Sequence, residues 1–331
     1  MPSNIVLVTG VSGELGGRLL SRLGACPGFD RIVGVDTSPP SRGVLRQLGR
    51  LGRVEFVRAD IRNPLLAKIM TSAKVDTVVH AGPMCHPAGS GGDSSAKETN
   101  VIGTMRLLAA CQNSPYVRKL VVASTTAVYG ASPRSQAVFT EDAELIPTVA
   151  SGYSKDAVEL EGYVRGFARR RLDVEVTTLR FADIVAPDFD TVFSRYFSLP
   201  LVPTVLGFDS RLQFLHAEDA LAVLERATTE EKPGVFNVAG DGVLTLSQAI
   251  RRAGRAPLPL PRLAMSPVGK VLRNARTVNV SADLVRLLNF GRVVDTTRLT
   301  REFGYSPRWT TRQAFDEAVR ATTSLRGRLR Q

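Results

Sequence analysis

Thr9-Gly10-Val11-Ser12-Gly13-Glu14-Leu15-Gly16 follows the apolar run Ile5-Val6-Leu7-Val8 and opens onto a segment with helical spacing. A strand that ends on a glycine-rich turn and leads into a helix is the context a dinucleotide-binding turn requires. Gly10 permits the tight turn, Gly13 lets the backbone approach a pyrophosphate, and Gly16 allows close packing of helix on strand. Ser12, Glu14 and Leu15 complete the loop, whose helix N-terminus favours an anion. Asp36 closes the next apolar run, about twenty residues past the last glycine, where a carboxylate bonds the ribose hydroxyls. The same carboxylate repels the 2′-phosphate of NADP, so the expected cofactor is NAD. Arg42, a few residues on, softens that preference.

Outward from this turn, short apolar runs alternate with helical patterns, the signature of βαβ units and a parallel sheet. Strands are expected at Ile5–Thr9, Ile32–Asp36, Val54–Arg58, Thr77–His80, Leu120–Ser124 and Val174–Leu179, and helices at Leu15–Leu23, Asn100–Cys111 and Ala157–Phe167. The fold class is α/β, a Rossmann-type doubly wound parallel sheet with a smaller mixed α/β substrate domain. The sheet domain is expected over residues 1–180, with a segment returning around 213–238. The smaller domain is expected over 181–331. Within it, Arg255–Pro267 is proline-rich and reads as a surface loop.

The 331 residues, 44% of them hydrophobic, suffice for genuine cores. No apolar run approaches a bilayer span, and the N-terminus lacks a signal-peptide pattern. Three widely spaced cysteines argue against a disulfide framework and a zinc site, so cytoplasm is the expected compartment and no metal is expected. The net charge of +12 is carried by arginine, with only seven lysines. That balance fits a polyanionic ligand, but the densest runs, Arg169-Arg170-Arg171 and Arg326–Arg330, carry no interleaved aromatics. A nucleic-acid partner is therefore not expected.

Further stretches extend the pattern: Asp60-Ile61, His80-Ala81-Gly82-Pro83, Asn100-Val101-Ile102-Gly103-Thr104, Ser124-Thr125-Thr126-Ala127-Val128-Tyr129-Gly130 and Leu179-Arg180-Phe181-Ala182-Asp183. Phe214–Ala220, Phe236-Asn237-Val238 and Gly304-Tyr305-Ser306-Pro307 follow in order. Together with the Gly-x-x-Gly-x-x-Gly spacing these resemble the extended short-chain dehydrogenase/reductases, the NAD-dependent epimerase/dehydratase family that includes UDP-galactose 4-epimerase. The resemblance implies that NAD is held by Gly10, Ser12, Gly13, Glu14, Leu15, Gly16, Asp36, Asp60, Ile61, Ala81, Gly82, Pro83, Asn100, Ser124, Lys155, Phe181 and Ala182. It implies a nucleotide-sugar ligand facing Thr126, Asp183, Arg211 and Arg292, with Arg286 and Arg298 as further cations. It also implies a homodimer through the helices at Asn100–Cys111 and Ala157–Phe167.

In this family a Tyr and a Lys four residues later move the proton, helped by a Ser or Thr at the end of the fifth strand, here Thr125. Lys155 is read as that lysine, which places Ser151 where the tyrosine belongs. Tyr153 stands two residues from Lys155, and residues two apart on a helix point to nearly opposite sides. The expectation is thus a degenerate site, SxxxK for YxxxK, with reduced, altered or absent activity. Three readings stay open. One is an NAD-responsive sensor or scaffold without turnover. A second is an enzyme using Thr125, Tyr129 or Asp183, and in a third the helix begins irregularly and Tyr153 swings in. Asp183 where the family has Asn, and Leu212 where it commonly has a phosphate-clamping Arg, weigh toward the first.

Overall fold

The computed structural model describes residues 4–82, 98–146, 152–274, 278 and 280–328. Seven parallel strands form the main sheet. In chain order they are β1 (Ile5–Thr9), β2 (Arg31–Asp36), β3 (Val54–Arg58), β4 (Thr77–His80), β5 (Lys119–Thr125), β6 (Glu175–Phe181) and β11 (Gly234–Val238). Their spatial order is β11-β6-β5-β4-β1-β2-β3, so the direction of winding reverses between β1 and β4. Ligands of open α/β sheets bind at such a reversal, outside the carboxyl ends of the strands.

Alternation along the strands builds the layers. Val6 and Val8 of β1, Val79 of β4, and Val121 and Ala123 of β5 face one core with α1 (Glu14–Ala25) and α7 (Ala217–Thr229). Leu7, Val78, Leu120 and Val122 face the other, with α4 (Gly103–Asn113) and α5 (Tyr153–Arg170). A third core lies beyond β7 (Asp183–Val185), built on Phe193, Tyr196, Phe214, Leu288 and Phe315. There β10 (Phe214–His216) pairs parallel with β7 and leads into α7. The third core also takes up α6 (Val192–Tyr196), α10 (Ala282–Phe290) and α11 (Thr311–Arg328).

Two elements depart from the sequence expectation. Arg255–Pro267 is not a loop: Ala256–Leu260 is strand β13, paired parallel with β8 (Leu201–Val205), and Met265–Asn274 is helix α9. Pro257 and Pro259 alternate in β13, which is tolerable because the strand is an edge of a two-stranded ribbon and those positions need no N–H. Helix α5 begins at Tyr153, four residues earlier than expected, after Gly152 at φ +116°. That conformation costs glycine little and lets the chain enter the helix sharply.

Candidate functional site

A cleft of about 750 Å³ opens at the carboxyl ends of β1, β2, β4 and β5 and is closed on its far side by β7, α6 and α10. Gly10, Ser12, Gly13, Glu14 and Leu15 form its floor at the end of β1. Gly10 has φ +78°, and a Cβ there would lie 2.3 Å from Gly82 Cα. A Cβ on Gly16 would lie 2.2 Å from Gly10 O, so Gly16 sits behind the turn and sets how closely α1 packs on it. Side chains at these positions would fill the cradle that a pyrophosphate needs, and the residues present fit NAD. Asp36 is held in place: its Oδ2 accepts from Ser12 N–H (2.9 Å) and Ser12 Oγ–H (2.8 Å), and its Oδ1 accepts from Thr37 N–H (2.7 Å). Asp60 and Ile61 line the cleft beside it, and Arg62 hydrogen-bonds the Asp60 carboxylate and keeps it below the usual range.

Beneath the turn lies a buried chain of hydrogen bonds. Thr104 Oγ–H donates to Asn100 O (2.5 Å), so the same oxygen accepts from His80 Nε2–H (2.8 Å). The other ring nitrogen, Nδ1, then accepts from Thr9 Oγ–H (2.6 Å). This network assigns a neutral ring, and burial pushes the His80 pKa down to about 4. His80, Gly82 and Asn100 line the cleft, while Ala81 is buried below it.

Where proton chemistry was expected, the structure rearranges the assignments. Thr125 and Tyr153 line the cleft and also share a small adjoining hollow. Lys155 is half-buried on another face of α5 and does not line the cleft. Ser151 and Pro83 lie outside the described residues. With Tyr153 facing the site, the residue one helical turn on is Ala157, and the next on that face is Glu161. Ala157 lines the small hollow with Asn100, Ser124, Thr125 and Asp156. Tyr153 and Ala157, four residues apart, are thus the α5 positions of that spacing that meet the cleft and its hollow, and Lys155 is not among the lining residues. In this placement the pattern is Tyr-x-x-x-Ala.

Glu161 fixes that register. Its side chain and that of Arg180 are each 3% exposed. The Arg180 fork donates to both carboxylate oxygens at 2.7, 3.0 and 3.1 Å. Glu161 also accepts from Ser124 Oγ–H (2.5 Å), so Ser124 is directed into the protein behind the cleft. Arg180 Nη1 donates to Tyr129 Oη (2.7 Å), and Tyr129 Oη–H donates to Asn237 Oδ1 (2.7 Å). Tyr129 is 2% exposed, does not line the cleft, and burial pushes its phenol up to about 12. Tyr129 is thus a framework residue and not a substitute acid or base. Phe181 is likewise buried, and Ala182 beside it lines the cleft.

The far wall carries charge. Asp283, in the first turn of α10, accepts from Ser154 N–H (3.2 Å) and Ser154 Oγ–H (2.8 Å). A carboxylate at the N-terminus of α5 complements its dipole and holds the turn that carries Tyr153. Asp183 and Arg292 face the cleft with 3.8 Å between Oδ2 and Nη2. Burial raises the Asp183 pKa and Arg292 opposes that; burial lowers the Arg292 pKa and Asp183 opposes that. Arg292 Nε–H donates to Thr126 Oγ (3.2 Å), and Thr126 itself is buried. Arg211 points elsewhere, its Nη2 reaching Ala137 O (3.1 Å) from an exposed position, and does not line the cleft. Arg298 pairs with Glu302 and lies over the Phe236 ring, also outside the cleft. No sequence motif marked Asp283, Leu284, Leu287 or the Phe189–Phe193 segment, all of which line it.

Comparisons with known proteins agree with this architecture. An uncharacterised protein of Mycobacterium tuberculosis is 48% identical over 316 residues, covering 96% of this chain and 83% of its own length. Among solved structures, a dTDP-glucose 4,6-dehydratase from Bacillus anthracis in complex with NAD superposes with a TM-score of 0.73 at 18% identity, covering 97% of each chain. A UDP-glucose 4-epimerase from Thermotoga maritima with UDP-glucose gives 0.71 at 18% identity, covering 97% of this chain and 99% of its own. At that identity these two establish the fold. The family profile matches residues 6–239, from β1 through β11, and NAD is the cofactor its description states. The chain belongs to the NAD dependent epimerase/dehydratase family.

Proposed function

We propose that the protein is an NAD-linked enzyme acting on a nucleotide-sugar-like substrate, with Tyr153 as its acid and base and no lysine one turn beyond it. The observation that carries this reading is the placement of Tyr153 beside Thr125 in the cleft, with Ala157 and Glu161 following on the same face of α5. A phenol is far more acidic than a serine hydroxyl and serves as a base near neutral pH when a neighbour favours its ionised form. Gly10, Gly13, Asp36 and the N-terminus of α1 are the groups that would hold NAD, and bound NAD supplies a hydride acceptor. Tyr153 Oη takes the proton of the hydroxyl on the carbon that is oxidised and returns one when that carbon is reduced. Thr125 offers a hydroxyl to the same oxygen. The cleft is of a size that takes a ligand of this kind, and Arg292 provides a cation for a diphosphate.

The absent lysine favours a second reading, an NAD-bound scaffold without turnover. One experiment separates the two. NAD-loaded protein is incubated with UDP- and dTDP-hexoses while product and reduced cofactor are followed. Turnover is expected, lost by about 100-fold or more in Tyr153→Phe and unchanged in Lys155→Met. Turnover that survives Tyr153→Phe but disappears in Lys155→Met overturns the assignment. A silent parent that gains turnover on Ala157→Lys establishes the scaffold.

The same reading has a second copy of the chain on the outer faces of α4 and α5; Ile102, just before α4, and Met105 on it are 41% and 42% exposed. A monomeric mass by sedimentation would remove it. No described helix is long and apolar enough to cross a membrane. A cytoplasmic protein is consistent with Cys26 and Cys111 being free thiols.

A further inference from the structure

Among the described residues, the hollow beside Tyr153 has no lysine or arginine in its walls. It has room for about one water, and its other walls are Asn100, Ala123, Ser124, Thr125, Asp156, Ala157 and Leu160. Asp156 is the charged residue among them, and a carboxylate near a phenol disfavours the phenolate. A tyrosine that acts as a base here needs a positive charge from elsewhere.

Among the described residues, two arginines line the cleft, Arg195 and Arg292. Arg195 is engaged by Asp190, with Nε at 2.7 Å from Oδ1 and Nη2 on the other oxygen. Arg292 is differently placed. Its side chain is 8% exposed, its Nε is spent on the neutral Thr126 hydroxyl, and its carboxylate neighbour Asp183 stands at 3.8 Å, beyond hydrogen-bond length. Its charge is therefore only partly answered. The backbone fixes it: Gly291 at φ +72° packs against Arg211, Arg292 N–H donates to Arg211 O (3.1 Å), and Val294 N–H donates to Gln213 Oε1 (2.9 Å). Thr126, which receives its Nε, directly follows Thr125, the residue that shares the hollow with Tyr153.

We propose that Arg292, reaching in from the C-terminal part of the chain, is the positioning charge that holds Tyr153 ready to ionise, in place of a lysine at position 157. The proposal rests on the reading of Tyr153 as the acid and base. Tyr153 and Asp283 line the same cleft as Arg292, and a negative charge on either favours its protonated form. Among the described residues, the charged and titratable groups that line the cleft or the hollow with Tyr153 include Asp156 on α5, Asp183 on β7, Asp283 on α10, the Asp190–Arg195 pair at α6 and the neutral His80 on β4. Glu14, Asp36 and Asp60 line the part of the cleft formed by the glycine turn and the ends of β2 and β3. Among the described residues that line the cleft, Arg292 is the cation whose carboxylate neighbour stands beyond hydrogen-bond length. A buried guanidinium keeps its proton throughout the working range, so its charge does not vanish with pH as a lysine's can.

The test reads tyrosinate absorbance during alkaline titration of the protein without cofactor or substrate. Subtracting the Tyr153→Phe titration isolates one phenol among six tyrosines. Tyr129, Tyr196 and Tyr305 are pushed upward by burial and stay out of the way. Tyr153 is expected to ionise below the ordinary value of about 10. Arg292→Gln should raise that value by about one unit or more, a tenfold loss of phenolate at a given pH. Arg292→Lys should raise it less, and Ala157→Lys placed in the Arg292→Gln background should lower it again. A Tyr153 titration that is superimposable in parent and Arg292→Gln overturns the proposal, because a residue that only grips substrate phosphate changes KM and leaves the free phenol alone. Should Arg292→Gln not fold, Arg292→Lys and Ala157→Lys in the parent decide, and no shift in either overturns it. Failure of the underlying reading looks different: Tyr153→Phe would retain turnover while the titration still shifted with Arg292.

Discussion

Removing Glu161 tests the register of α5, on which the assignment of Tyr153 depends. Glu161 accepts three hydrogen bonds from the Arg180 guanidinium and one from Ser124, with both charged side chains 3% exposed. In Glu161→Ala the guanidinium keeps Tyr129 Oη and Glu141 O, both uncharged, as described hydrogen-bond partners, and its charge loses its paired carboxylate. Breaking one side of a buried pair costs about 3–5 kcal/mol, a large part of the roughly 5–15 kcal/mol that holds a native domain. Glu159, two residues earlier, bonds the Tyr163 hydroxyl at 3.1 Å at the helix surface, and Glu159→Ala should cost under about 1 kcal/mol. Urea unfolding followed by circular dichroism compares the two, the shift in midpoint at constant slope giving the difference. If α5 instead presented Lys155 to the cleft, residues 155 and 159 would share the inward face and the costs would exchange. A Glu159→Ala loss above about 3 kcal/mol, with Glu161→Ala nearly silent, refutes the register.

Three further outcomes follow from the cofactor end. Asp36→Ala should weaken NAD binding by about 10- to 100-fold in calorimetry, the loss of charge-assisted bonds to the ribose, and should narrow the preference over NADP; undiminished NAD affinity would show that the carboxylate serves only Ser12. Gly10→Ala must place a Cβ 2.3 Å from Gly82 Cα at φ +78°, so it should cost more than about 2 kcal/mol of stability and abolish NAD binding. Gly52→Ala, with nothing within 4 Å of its Cβ, is the silent control. His80 gives a pH signature: its folded pKa of about 4 lies below the usual 6.5, so between those values the unfolded chain binds the extra proton. Stability contributed by the neutral ring is complete above pH 6.5 and lost as pH falls toward 4, by about 3 kcal/mol. NMR of the three histidines should find one ring that does not titrate until near pH 4, and three ordinary titrations would contradict the Thr9–His80–Thr104 chain.

What the sequence revealed was whatever a contiguous stretch decides by itself. The glycine turn, the strand before it and Asp36 are local features whose geometry follows from backbone sterics and one helix dipole, and Gly10, Gly13 and Asp36 line the cleft. The proton site depended on which face of α5 meets the sheet, and that is decided by a partner on another element. Lys155 belongs to a local pattern, a lysine close to a tyrosine in sequence. The side chain that settles the register is Glu161, whose reason for being buried, Arg180, lies in β6. The signal was present in two forms: a glutamate eight residues beyond Tyr153, hence on its face, and an arginine inside a strand otherwise fit for burial. Neither means anything until the two are known to face one another. Arg211 and Arg292 teach the same lesson from opposite sides. Their backbones are joined by the Arg292 N–H to Arg211 O bond, yet one side chain emerges at the surface and the other in the cleft. A charge acts across space and needs no particular place in the chain, so on the proposed reading Arg292 favours an ionised Tyr153 although position 157 is alanine.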